Sequence, residues 1–81
     1  MKRSPPGETI QDLLDQLGMT QATLAQILGR PTKTINEIIK GKARITEETA
    51  IQLERVFKVA AEFWLLREAQ YRLSLLRREH K

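Results

Sequence analysis

The 81-residue chain predicts an all-α fold of five helices, and three observations carry that expectation. Apolar residues recur at spacings of three and four along most of its length. Gly18, Gly29 and Gly41 fall just past three of those apolar runs, where a helix commonly ends in a left-handed residue that needs no Cβ. No segment alternates apolar and polar residues with period two, so no sheet is expected.

Residues 1–6 read as a flexible leader. Residues 8–17 then set Ile10, Leu13, Leu14 and Leu17 at helical spacing before Gly18. Thr20 is placed to cap a second helix over residues 21–28, with Leu24, Ala25, Ile27 and Leu28 apolar. The third spans residues 32–40, carries Ile35, Ile38 and Ile39, and stops at Gly41. Thr46 caps a fourth that reaches Phe57, with Glu47 and Glu48 in its first turn, where the helix dipole favours acids. The fifth covers residues 60–79, about 30 Å of helix. Leu65 or Leu66, Ala69, Leu73 and Leu76 form a stripe along it, while Phe63, Trp64 and Leu66 read as a cap on the core. Residues 1–81 are expected to make one small domain.

Helices of eight or nine residues are marginal alone in water, so the second and third must be held by packing. Small Ala25 lets one cross close to the other, Gly29 makes the sharp turn, and Ile35 and Ile38 plug the third helix onto the core. Two steeply angled helices joined by a short Gly-containing turn are a helix-turn-helix, here over residues 21–40.

Charge distribution points the same way. The chain's net charge is +4, and residues 30–44 alone reach that value, with Arg30, Lys33, Lys40, Lys42 and Arg44 against Glu37. A basic cluster of this kind is the footprint of phosphate binding, and its plainer alternative is a solvated face. With Ile35, Ile38 and Ile39 turned inward, Thr32, Lys33, Asn36 and Glu37 are the candidate base-contacting residues. Lys33 suits guanine O6 and N7, Asn36 suits adenine, and Glu37 suits cytosine N4. Gln21 and Thr23 at the start of the second helix, with Lys40, Lys42 and Arg44, are the candidate phosphate contacts, which position a protein without reading sequence. Duller readings stand beside these: Lys33 and Glu37 as a surface pair, Thr32 as an N-cap, Lys42 and Arg44 as solvated loop charges.

The last helix holds more apolar surface than four short helices can cover. Trp64, Tyr71, Leu73, Leu75 and Leu76 are therefore candidates for a dimer or partner interface, with self-association first and a different protein second.

No cysteine is present, and the lone His80 lies beside the C-terminus. No catalytic residue, metal or cofactor is expected, so an enzyme is the remotest class. No apolar run approaches the roughly 20 residues that span a bilayer, and residues 1–9 lack a signal peptide's apolar stretch. A soluble cytoplasmic protein is the expectation.

The segment TQATLAQILGRPTKTINEIIKGKARITEETAIQLERVF resembles the lambda-repressor-like helix-turn-helix proteins of the XRE family. PPGETIQDLL resembles the HPGE opening of HigA-type (VapI-like) antitoxins, and ITEETAIQLERVFKVAAEFWLLREAQY resembles their ITPE, A, L and FW-L tail. The match covers roughly residues 5–72. Pro5 replaces the usual His, and Leu66 and Arg67 interrupt the family's FWLN. The resemblance implies a five-helix bacterial protein that dimerises, binds the palindromic operator of its own operon and neutralises a HigB-type mRNA-cleaving toxin. It places Thr32, Lys33, Asn36 and Glu37 at DNA-reading positions and Gln21 and Lys42 at phosphate positions. Two other readings stay open: a regulator with no toxin partner, and an interaction domain that keeps the fold without binding DNA. Similar segments also introduce larger regulators with a metallopeptidase-like domain, whose HExxH motif does not occur here.

Overall fold

A computed structural model of the chain describes residues 4–79. It contains helices α1 (Gly7–Leu17), α2 (Gln21–Leu28), α3 (Thr32–Ile39), α4 (Glu47–Phe57) and α5 (Ala61–Glu79), with no strand among the described residues. α3 ends one residue earlier than the spacing predicts, and α5 starts one residue later. His80 and residues 1–3 lie outside the described residues.

The ends of the helices follow from local chemistry. Thr20 and Thr46 hold extended backbone and accept the N–H groups of Thr23 and Thr49 through their hydroxyls, at 3.1 and 3.3 Å. Each satisfies one of the donors that a first turn leaves without a partner. Thr32 does not act as a cap: Pro31 occupies that position with an extended backbone, and Thr32 is the first helical residue. Gly29 closes α2 at φ 68°; its N–H donates to Gln26 O and the Arg30 N–H to Ala25 O, at 3.2 and 2.9 Å. This pair of bonds reverses the chain within three residues and brings α3 back across α2.

The core is one buried cluster drawn from every helix. Ile10 and Leu14 come from α1, Leu24, Ala25 and Leu28 from α2, Ile35 and Ile38 from α3, Ala50 and Leu53 from α4, and Trp64 from α5, with Ile45 of the α3–α4 loop. Ala25 of α2 and Ile35 and Ile38 of α3 are all buried, as a close α2–α3 crossing requires.

Three expectations are corrected. Residues 4–6 do not form a loose leader: Pro6 is fully buried, and the Pro5 and Pro6 carbonyls accept the N–H groups of Glu8 and Thr9, both at 3.0 Å. Gly7 follows them directly against α3, where a β-carbon would collide with the Ile39 backbone. Trp64 is not an interface residue. It is 0% exposed, lies edge-on to Phe63 and tilted against Phe57, and donates its Nε1–H to Val59 O at 3.2 Å. A bulky ring whose polar atom is satisfied within the chain has nothing left to offer a partner. Leu66, by contrast, does not close the core, being 57% exposed; Phe63 is exposed too and meets the core only through its edge-on contact with Trp64.

Candidate nucleic-acid interface

α3 divides its side chains between two tasks. Ile35 and Ile38 lock it to the core, while Thr32, Lys33 and Lys40 are exposed and Asn36 and Glu37 half-buried. The four residues expected to read bases therefore start on the solvent-facing side of a short, firmly held helix. Lys33 and Glu37, four residues apart, make no ion pair within 4.0 Å; the ion pairs among the described residues join Arg30 to Glu48 and Arg72 to Glu68. The Lys33 ammonium is thus open to a ligand.

Asn36 is held more tightly. Its Nδ2 donates to Gln21 Oε1 at 3.1 Å, and Gln21 Nε2 donates to Gln11 Oε1 at 3.0 Å. Gln11 Nε2 donates in turn to Asp15 Oδ1 at 2.9 Å. This relay of amides crosses α3, α2 and α1 and fixes the orientation of Asn36, leaving its Oδ1 and one N–H for a base edge. Gln21 accepts from Asn36 at one end of its amide and donates to Gln11 at the other, so a side-chain phosphate contact falls to its second N–H. Gln11 escaped the sequence reading because its partners lie four and ten residues away and no spacing rule joins the set.

The cations separate into two groups. Arg30, part of the basic window, is bound within the fold: its Nε donates to Gln52 Oε1 at 3.1 Å, its Nη2 lies 3.7 Å from Glu48 Oε1, and Gln52 Nε2 donates to Leu28 O at 3.2 Å. It pins the α2–α3 turn to α4. Lys40, Lys42 and Arg44 are exposed, with no ion pair among the described residues. Lys42 and Arg44 lie on the loop that follows α3. Thr23 is exposed at the first turn of α2, where its hydroxyl lies 3.0 Å from that of Thr20.

An exposed polar helix face, a fixed amide and three flanking cations are chemically suited to a double helix. A helix-turn-helix family model (HTH_3) matches residues 10–64. The chain belongs to that helix-turn-helix family. Among its relatives is an uncharacterized HTH-type transcriptional regulator of Haemophilus influenzae, 39% identical over 99% of this chain and 76% of the relative. The structure of an addiction module antidote protein of a HigA family from Coxiella burnetii superposes with a TM-score of 0.87 at 30% identity, covering 98% of this chain and 87% of the other. The Pseudomonas aeruginosa antitoxin HigA, solved with the higBA promoter, gives 0.86 at 29% identity over 93% and 83%. The helix-turn-helix family and these relatives are regulators and antitoxins, not enzymes. No described helix is long and apolar enough to cross a membrane.

Outside the interface, α5 carries the remaining candidates. Leu73 and Leu76 are exposed, and Tyr71 and Leu75 half-buried.

Proposed function

We propose that the protein is a transcriptional regulator that binds the palindromic operator of its own operon as a homodimer, and that it is the HigA-type antitoxin of a toxin–antitoxin pair. The observation that carries the DNA reading is α3 itself: Lys33 and a buttressed Asn36 face outward, with Lys40, Lys42 and Arg44 beside them and without internal partners. In this reading Thr32, Lys33, Asn36 and Glu37 meet base edges in the major groove, and Gln21, Thr23, Lys40, Lys42 and Arg44 meet phosphates. Glu37, half-buried and beside the cations, accepts from a cytosine amine in the same groove.

The experiment is retention of a fluorescent duplex, taken from immediately upstream of the coding sequence, across a salt series. Counterion release makes the logarithm of affinity fall linearly with that of salt, and the three flanking cations contribute about −2.7 to the slope per copy. Absent or salt-insensitive retention overturns the reading in favour of an interaction domain.

The toxin partner rests on the likeness to proteins described as antidotes and as HigA. Purification from the native operon tests it. Recovery with the product of an adjoining short reading frame that encodes a small basic ribonuclease supports the antitoxin role. The similarity to an HTH-type transcriptional regulator favours the second reading, a stand-alone regulator, which is the outcome if no such frame adjoins the gene.

A further inference from the structure

The loop between α3 and α4 is gripped from behind. Going along it, Gly41 is buried, Lys42 exposed, Ala43 half-buried, Arg44 exposed and Ile45 buried. Through a turn at Gly41 and a bend at Lys42 and Ala43, the odd-numbered residues are the less exposed ones and the two cations alternate outward. α5 supplies the hydrogen-bond partners of the Ala43 and Ile45 backbone. Glu68, only 6% exposed, accepts the Ile45 N–H through Oε1 at 3.0 Å and the Arg72 Nε–H through Oε2. The Arg72 guanidinium donates onward to Ala43 O at 3.2 Å and lies 5.1 Å from the centre of the Tyr71 ring. Gly41 sits against the same tyrosine, where a β-carbon would come within 3.0 Å of its hydroxyl oxygen.

A buried carboxylate–guanidinium pair is seldom a better source of stability than apolar side chains of equal volume. What apolar side chains would not do here is satisfy the Ile45 N–H and the Ala43 carbonyl, the backbone groups on either side of Arg44. Hydrogen bonds to ionised groups are the stronger and better directed kind. We infer that Glu68 and Arg72 are positioning residues for DNA binding: they clamp the loop so that Lys42 and Arg44 are presented together to the phosphate backbone. The inference rests on the DNA-binding reading above and gives α5 a part in it beyond partner contact.

The test replaces the pair as a unit. Glu68→Leu/Arg72→Leu roughly keeps the volume and removes the clamp. It leaves the Ile45 N–H and the Ala43 carbonyl without these partners and so lowers the melting temperature. Binding is compared at a temperature where circular dichroism shows both proteins fully folded, which separates positioning from folding. On the upstream duplex the variant's salt slope becomes shallower by about two, one per lost phosphate contact. Its affinity falls by the same factor as that of Lys42→Ala/Arg44→Ala, and adding those two substitutions to it costs nothing further. If the leucine pair does not fold, Arg72→Lys, which keeps the ion pair and drops the Ala43 contact, is read instead, with a slope shallower by about one. A wild-type slope in the folded variant, or full additivity with Lys42→Ala/Arg44→Ala, overturns the inference while leaving the DNA reading intact. A wild-type protein that does not bind the duplex overturns both.

Discussion

Lys33 and Asn36 share the outward face of α3, but they are held in different ways, and substitutions should separate them. Lys33 is exposed and makes no ion pair among the described residues, so Lys33→Ala leaves the thermal melt within about 0.5 kcal/mol of wild type. Specific operator binding weakens by about 1 to 3 kcal/mol and discrimination relaxes at one base pair. Titration against the footprinted operator and its single-base variants measures both, and undiminished binding removes Lys33 from the reading set. Gly7 is the opposite kind of residue, buried against the end of α3 and critical for packing. A β-carbon there meets the backbone of Ile38 and Ile39 rather than a side chain that could rotate away. Gly7→Ala forces the start of α1 off the end of α3 and destabilises by about 1 to 3 kcal/mol, read from chemical denaturation.

Helix ends were the most legible part of the sequence, because each rests on a local device. Thr20 and Thr46 cap as their side chains suggest, and α2 stops at Gly29. The end of α4 had no such signal. Lys58 closes that helix at φ 60°, the one non-glycine residue with positive φ among the described residues. Left-handed backbone costs a residue with a Cβ about 1–2 kcal/mol, whereas glycine loses about 0.5–1 kcal/mol in extra chain entropy. Lys58→Gly therefore stabilises by up to about 1 kcal/mol, a rise in melting temperature of about 4–8 °C, and Lys58→Ala gives none of it. A glycine variant that melts below wild type contradicts this account of the α4–α5 corner.

α5 was only half legible, for a reason that belongs to helices generally. Apolar residues occur on two of its faces, and periodicity does not say which one turns inward. The inward row proves to be Trp64, Glu68 and Arg72, spaced four apart, so the tryptophan, read both as a core cap and as an interface residue, lies in the core, while Phe63 and Leu66 stand exposed. A charged pair in step with the most buried aromatic was the available signal. The α3 face needed no such choice, since its isoleucines and its polar residues lie on opposite sides. The amide relay and the Arg30 tether join residues 10 to 22 apart in sequence, and only the folded chain brings them together.

At the scale of the whole molecule, one copy measures 40 × 22 × 21 Å and, in the proposed function, presents one recognition helix. Palindromic half-sites place successive major grooves about 34 Å apart on one face of DNA, so a single copy cannot occupy both, and the affinity of the pair depends on what joins two copies. The exposed leucines of α5 are the surface proposed for this, with Leu73 47% and Leu76 51% exposed. Burial of both against a second copy contributes about 3 kcal/mol or more. Leu73→Ser/Leu76→Ser is thus expected to raise the dimer dissociation constant by about a hundredfold. Light scattering across a dilution series checks the mass, and operator binding should become weaker and lose its dependence on the second half-site. Neither leucine belongs to the buried core, so the melt should change little once both proteins are diluted to monomer, and should fall for the variant where wild type is dimeric. A variant that remains dimeric at wild-type concentrations assigns self-association to another surface and leaves the leucines of α5 to a different protein.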